Sequence, residues 1–178
     1  MVGRWSPSTC LYLRLSMGDS FRYRVDYNKT VVAKEIGFAA AASANTLRVH
    51  LNWIPWFLDP NTFMANLEHL VSTAALNHIK VILAVFDSTG CCDPTPAWVA
   101  NGQYNSTGWV QNPGQAMVNN ASSWPVLDTY VAALTAAYGQ DARVLGWDVM
   151  YQPQLDVQQP NGGKKDSLPV AIPYLALC

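Results

Sequence analysis

Charge is scarce in this chain, and glutamate is scarcest of all. Only 13% of the 178 residues are charged, and the formal net charge is −1. That balance gives no electrostatic case for nucleic acid or for an anionic membrane as a partner. No apolar run reaches the ~18 residues expected of a membrane span. The four cysteines, Cys10, Cys91, Cys92 and Cys178, are too few and too scattered for a disulfide scaffold. The adjacent pair lacks the spacing of a zinc knuckle or a CxxC redox site. No His/Cys/Asp cluster has metal-ligand spacing, so neither a metal nor another cofactor is expected. Gly-x-Gly-x-x-Gly, Walker and Gly-x-Ser-x-Gly motifs are absent, which disfavours dinucleotide, nucleotide-phosphate and serine-hydrolase sites.

What is present is apolar. Half of the residues are hydrophobic, so a buried core is expected. The N-terminus carries no convincing export signal, because its short apolar run is interrupted by Arg14. Three Asn-x-Ser/Thr triplets nevertheless occur, at Asn28, Asn105 and Asn120. Their glycosylation would require passage through a secretory lumen.

Residues 1–27 read as a poorly patterned leader, in which Tyr12, Leu13 and Leu15 could form a short strand. Residues 29–44 are Ala-rich and favour helix. Residues 46–51 alternate apolar side chains at 47, 49 and 51, the period of a strand. Asp59 and Pro60 then start a helix, with a capping side chain followed by Pro at the first helical position. Its buried face is marked by Phe63, Leu67, Leu70, Val71 and Ala74. Residues 80–86 form a nearly continuous apolar strand, as in a parallel sheet covered on both faces.

A long loop, residues 87–121, follows. Pro125 opens another helix with Leu127, Val131, Leu134 and Tyr138 on its inner face, ended by Gly139. Residues 144–150 are the next strand. Alternation of this kind implies a parallel α/β sheet, either open or part of a barrel. After Pro153 the pattern dissolves. The expected organisation is a leader at 1–27, a partial barrel at 28–153 and an irregular tail at 154–178.

The motif Trp147-Asp148-Val149-Met150-Tyr151-Gln152-Pro153 resembles the fourth strand of clan A glycoside hydrolases, the cellulase-like, family 5 type (β/α)8 barrels. There the strand reads Trp-Asp-x-x-Asn-Glu-Pro. Similarity extends over roughly residues 33–154, through Lys34-Glu35-Ile36-Gly37-Phe38, Asn45-Thr46-Leu47-Arg48-Val49, Phe86-Asp87-Ser88 and Gly108-Trp109-Val110-Gln111-Asn112-Pro113-Gly114. The resemblance implies a partial TIM barrel, roughly strands two to four with their helices. A whole barrel needs roughly 250 residues. It also implies an ancestral hydrolysis of O-glycosidic bonds in β-linked polysaccharides by a retaining mechanism. Such a mechanism needs two carboxyl groups about 5 Å apart. Family members are usually secreted.

The family's acid/base Glu corresponds here to Gln152, and its Asn to Tyr151. An amide cannot exchange a proton near neutral pH. The family's nucleophile lies on a seventh strand that this sequence does not supply. Glu35 and Glu68, the only glutamates, fall on predicted helices. The resemblance therefore implies a truncated and catalytically impaired chain.

By the same resemblance Arg48 would orient a nucleophile. Paired with a buried carboxylate such as Asp148, it would have a structural role instead. Asp87 would hydrogen-bond a sugar hydroxyl or cap the turn that follows it. Trp53, Trp56 and Trp109 offer aromatic faces for the apolar faces of sugar rings, or anchor loops to the core. Together with Arg48, Asp87 and Tyr151 they form the expected substrate-binding set. His50 could face the helices or the site. The expected partner is a polysaccharide or oligosaccharide. Exposed sheet edges would favour self-association. The alternatives are a non-catalytic glycan-binding protein and a non-functional gene fragment.

Overall fold

The computed structural model describes residues 13–14, 27–88, 95–97 and 111–151. Four parallel strands make one sheet in the order β1-β2-β3-β4, which is also their order in the chain. β1 is Leu13–Arg14, β2 Thr46–His50, β3 Lys80–Asp87 and β4 Val144–Tyr151. Helices separate the last three strands and precede β2: α1 (Lys29–Ala41), α2 (Trp53–Leu58), α3 (Pro60–Leu76), α4 (Gln115–Asn119) and α5 (Trp124–Tyr138). A parallel sheet wound in sequential order with interleaved helices is the arrangement of a partial (β/α)8 barrel. No helix among the described residues is long and apolar enough to cross a membrane.

The helices start where the sequence supplies caps. Asn28 caps α1, its Oδ1 accepting from the N–H groups of Thr30 and Val31. Asp59 caps α3 through the Thr62 N–H at 3.0 Å, with Pro60 in the first turn. The buried face of α3 is the predicted one: Phe63, Leu67, Leu70, Val71 and Ala74. Full burial stabilises each of its large apolar side chains by roughly 1.5–3 kcal/mol.

The buried face of α5 centres on Tyr130, Leu134 and Tyr138, while Leu127 and Val131 are only partly buried against the core. Tyr130 is fully buried and packs among the rings of Trp56, Phe63 and Phe86. Gly139 ends α5 because of a close approach: an added Cβ would lie 2.5 Å from the Thr135 carbonyl oxygen.

Leu13–Arg14 pairs in parallel with Leu47 and Arg48, a short strand where the sequence offered one at Tyr12, Leu13 and Leu15. Two elements differ from the sequence-based expectation. The chain after β2 forms α2 before α3 starts, capped by Asn52, whose Oδ1 accepts from the Ile54 N–H at 2.9 Å. The loop before α5 carries α4 and a 3-10 turn at Ala121–Ser123.

β3 is the most covered strand, with Val81, Leu83, Ala84, Val85, Phe86 and Asp87 all buried. No residue of β4 is fully buried, and Leu145 is exposed. Among the described residues no strand pairs with the outer edge of β4.

Candidate functional site

Parallel strands bring their C-terminal ends to one side of the sheet, and in barrels that side collects functional residues. Here β2 ends at His50, β3 at Asp87 and β4 at Tyr151. Asp87 and Tyr151 are register partners on adjacent strands. His50 Nδ1 lies 3.0 Å from Asp87 Oδ2, and both side chains are almost fully buried. A carboxylate accepts only, so the contact fixes the imidazole proton on Nδ1. The Tyr151 ring stands edge-on to the His50 ring, with centroids 4.9 Å apart. The Arg48 guanidinium carbon lies 4.6 Å from the centroid of the same Tyr151 ring. A cation within about 6 Å of an aromatic centroid is attracted by the ring's negative face.

Arg48 also forms an ion pair with Asp148 of β4. The pair spans β3. In the register His50 lies beside Ala84, and Ala84 beside Asp148. Alternation places Arg48 on the same face as His50. The methyl group of Ala84 leaves the bridge room to cross. Both side chains are about one-fifth exposed. Of the two roles open to Arg48 from the sequence, the pairing with Asp148 is the one the structure displays.

Asn112 was not among the candidates from the sequence, although its motif carried the family resemblance. It is buried, and its Nδ2 donates to the carbonyls of Leu51 and Val85, at 2.8 and 2.9 Å. Its Oδ1 accepts from the Trp53 N–H, and its backbone N–H donates to the Asp87 carbonyl at 2.7 Å. One side chain thereby ties together the end of β2, the start of α2 and the end of β3. No periodicity or spacing signals such a tether. Asn112 is one of several amides in an irregular segment, and nothing local marks it out from the others.

Trp53 and Trp56 belong to the core, at 2% and 7% exposed. Trp53 packs against Phe57 and Trp56 against Tyr130. Neither indole N–H has a hydrogen-bond partner among the described residues. Gln152 and Trp109 lie outside the described residues, as do Trp98, Tyr104 and all four cysteines.

Both glutamates lie on helices. Burial pushes the Glu35 carboxyl on α1 above its usual range. Glu68 on α3 is held below its usual range, first by hydrogen bonds from Arg143 and then by one from Ser72. Among the described residues no group of three or more His, Cys, Asp or Glu could hold a metal ion.

Chemically, the strand ends offer a guanidinium, an imidazole, a phenol and two carboxylates within one contact network. These groups can hydrogen-bond a polyhydroxylated ligand, and Tyr151 adds an aromatic surface. Each carboxylate already faces a basic partner: Asp87 faces His50 and Asp148 faces Arg48.

No family model matches the chain. No curated protein matches it either. Among solved structures it is similar to the endo-1,4-beta-mannanase of Rhizomucor miehei, with a TM-score of 0.47 and 12% sequence identity. The alignment covers 76% of this chain and 43% of the mannanase chain, so the chain spans less than half the length of that neighbour.

Proposed function

We propose that this chain is a glycoside hydrolase-like protein that recognises a β-linked oligosaccharide or polysaccharide at the C-terminal ends of its strands and does not hydrolyse it. The observation that carries the reading is the convergence of Arg48, His50, Asp87 and Tyr151 from three strands on one end of the sheet. The resemblance of the Trp147-to-Pro153 motif to a family of sugar-cleaving barrels supplies the ligand class. In this reading Asp87 and Arg48 contact sugar hydroxyls and Tyr151 lies against a sugar ring. Gln152 and Trp109 are proposed, from the motif resemblance alone, to contact the same ligand. Trp53 and Trp56 support it from the core side.

The absence of turnover follows from the carboxyl groups. A retaining mechanism needs one acid/base and one nucleophile facing the same glycosidic bond. Asp87 and Asp148 each sit against a basic side chain, and the two glutamates lie on helices. An amide at residue 152 cannot transfer the proton. Affinity should be modest, in the millimolar to high micromolar range, because ordering a sugar chain on the protein offsets much of the gross interaction.

Calorimetric titration of cello-, manno- and xylo-oligosaccharides tests this reading. Saturable binding by the wild type, weakened tenfold or more in Tyr151→Ala, is expected. No saturable binding at millimolar sugar, or equal binding by both proteins, would leave a barrel relic without a site.

Self-association through the outer edge of β4, with which no strand pairs among the described residues, belongs to the same reading, since such an edge templates pairing with another chain. Sedimentation at increasing concentration should show species larger than a monomer. A single monomeric species throughout would remove that part.

A further inference from the structure

Two of the three Asn-x-Ser/Thr triplets fall on described residues, and both start a helical turn. Asn28 caps α1 with Oδ1, which accepts from the Thr30 N–H at 3.0 Å and the Val31 N–H at 3.2 Å. Asn120 precedes the 3-10 turn, and its Oδ1 accepts from the Ser122 N–H at 3.2 Å. Asn28, Thr30, Asn120 and Ser122 are all exposed. In both asparagines the cap uses the carbonyl oxygen. Neither Nδ2 makes a hydrogen bond among the described residues. Asn112 provides the contrast within the same molecule: it is buried, and its Nδ2 is committed to two backbone carbonyls.

We infer that Asn28 and Asn120 are acceptor sites for N-linked glycans, presented by the folded chain in a form that modification leaves structurally intact. The donor class is a polyprenyl-diphosphate-linked oligosaccharide. Nδ2 forms a bond to the anomeric carbon of the first sugar and loses one proton. The bond between that carbon and the diphosphate oxygen breaks, and the lipid diphosphate departs. The product is a secondary amide whose Oδ1 is still a carbonyl acceptor. The caps of α1 and of the 3-10 turn therefore survive the reaction. In a strand–helix unit the helix begins on the side where the preceding strand ends. Asn28 follows β1 and Asn120 follows β3, so both glycans would ring the end of the sheet that carries Tyr151 and Asp87.

The test treats the purified, folded full-length chain with an oligosaccharyltransferase and its lipid-linked donor, then maps the modified peptides by mass. Adducts on Asn28 and Asn120 are expected. Thr30→Ala should abolish the first and Ser122→Ala the second. Both variants keep the backbone N–H that the cap uses. The glycosylated chain should melt within about a degree of the unmodified one, whereas Asn28→Ala should melt several degrees lower through loss of the cap. Two results would overturn the inference. One is modification of these asparagines only after unfolding in urea. The other is a glycosylated chain destabilised as much as Asn28→Ala.

Discussion

Among the described residues two ion-pair clusters stand out, one toward each end of β4, and they are built differently. At the start of the strand, Arg143 donates to Asp141 through Nε and Nη2, to Glu68 through both terminal nitrogens and to Ser72. This clamp ties α3 to the turn before β4 and is open to solvent, with Arg143 one-third and Glu68 about half exposed. Toward the end of the strand, Asp148 meets Arg48 and Asp87 meets His50, in pairs that are mostly or almost fully buried. Solvent-exposed pairs contribute little each, because water competes for both partners. Buried pairs are poor sources of net stability but costly to break by halves, since truncation leaves a desolvated charge behind. The first cluster is a fastener. The second holds polar groups in place where strand ends gather, at an energetic disadvantage that a binding role would explain.

Truncation separates the two most sharply. Asp148→Ala should cost about 3 kcal/mol in urea unfolding, because it strands the Arg48 guanidinium. Joint replacement, Arg48→Met with Asp148→Leu, should recover most of that loss. Arg143→Ala at the clamp should cost about 1 kcal/mol. Equal losses at the two ends would break the contrast. Asn112→Ala belongs with the buried end. It leaves three buried backbone groups without their side-chain partner and should cost about 3 kcal/mol, at roughly 1 kcal/mol for each.

Acid should discriminate next. Hydrogen bonds from Arg143 lower the pKa values of both Glu68 and Asp141. A carboxyl group with a depressed folded-state pKa binds fewer protons in the folded than in the unfolded state. Its stabilisation is present above the unfolded value, about 4, and is lost as pH falls through the lower folded value. Stability should therefore decline below about pH 4, and Arg143→Ala should flatten the decline. An unchanged slope in that variant would show that the clamp does not set it.

The smallest effects lie outside both clusters. Ser43 and His78 adopt φ of 62° and 60° in the turns between helix and strand. Glycine accepts that conformation without a Cβ penalty, so Ser43→Gly and His78→Gly should each stabilise by about 0.5–1 kcal/mol.

The core was more legible from sequence than most of the site. The α3 face at Phe63, Leu67, Leu70, Val71 and Ala74 was readable because one helical period buries all five. β3 was readable as an unbroken apolar run. The Arg48–Asp148 pair could be anticipated because each charge interrupts an apolar strand, and a buried charge needs a partner. The α2 segment hid because Trp53-Ile54-Pro55-Trp56-Phe57-Leu58 has no polar face to display a period. Its one signal was the capping Asn52. The His50–Asp87 contact joins residues 37 apart, and the Asn112 tether reaches 61 positions back to Leu51. Such contacts depend on which strand ends become neighbours, which is a property of topology that local pattern does not encode.

The central claim is that this strand-end cluster binds without cleaving, and reducing-end release from cellulose, mannan and xylan tests it most directly. The purified chain should release nothing above background, and Gln152→Glu should restore nothing, because a single carboxyl group does not complete the pair. Release by the wild-type chain that disappears in Asp87→Asn or Asp148→Asn would contradict the account, since it would show that a carboxylate held against a basic neighbour is nonetheless catalytic.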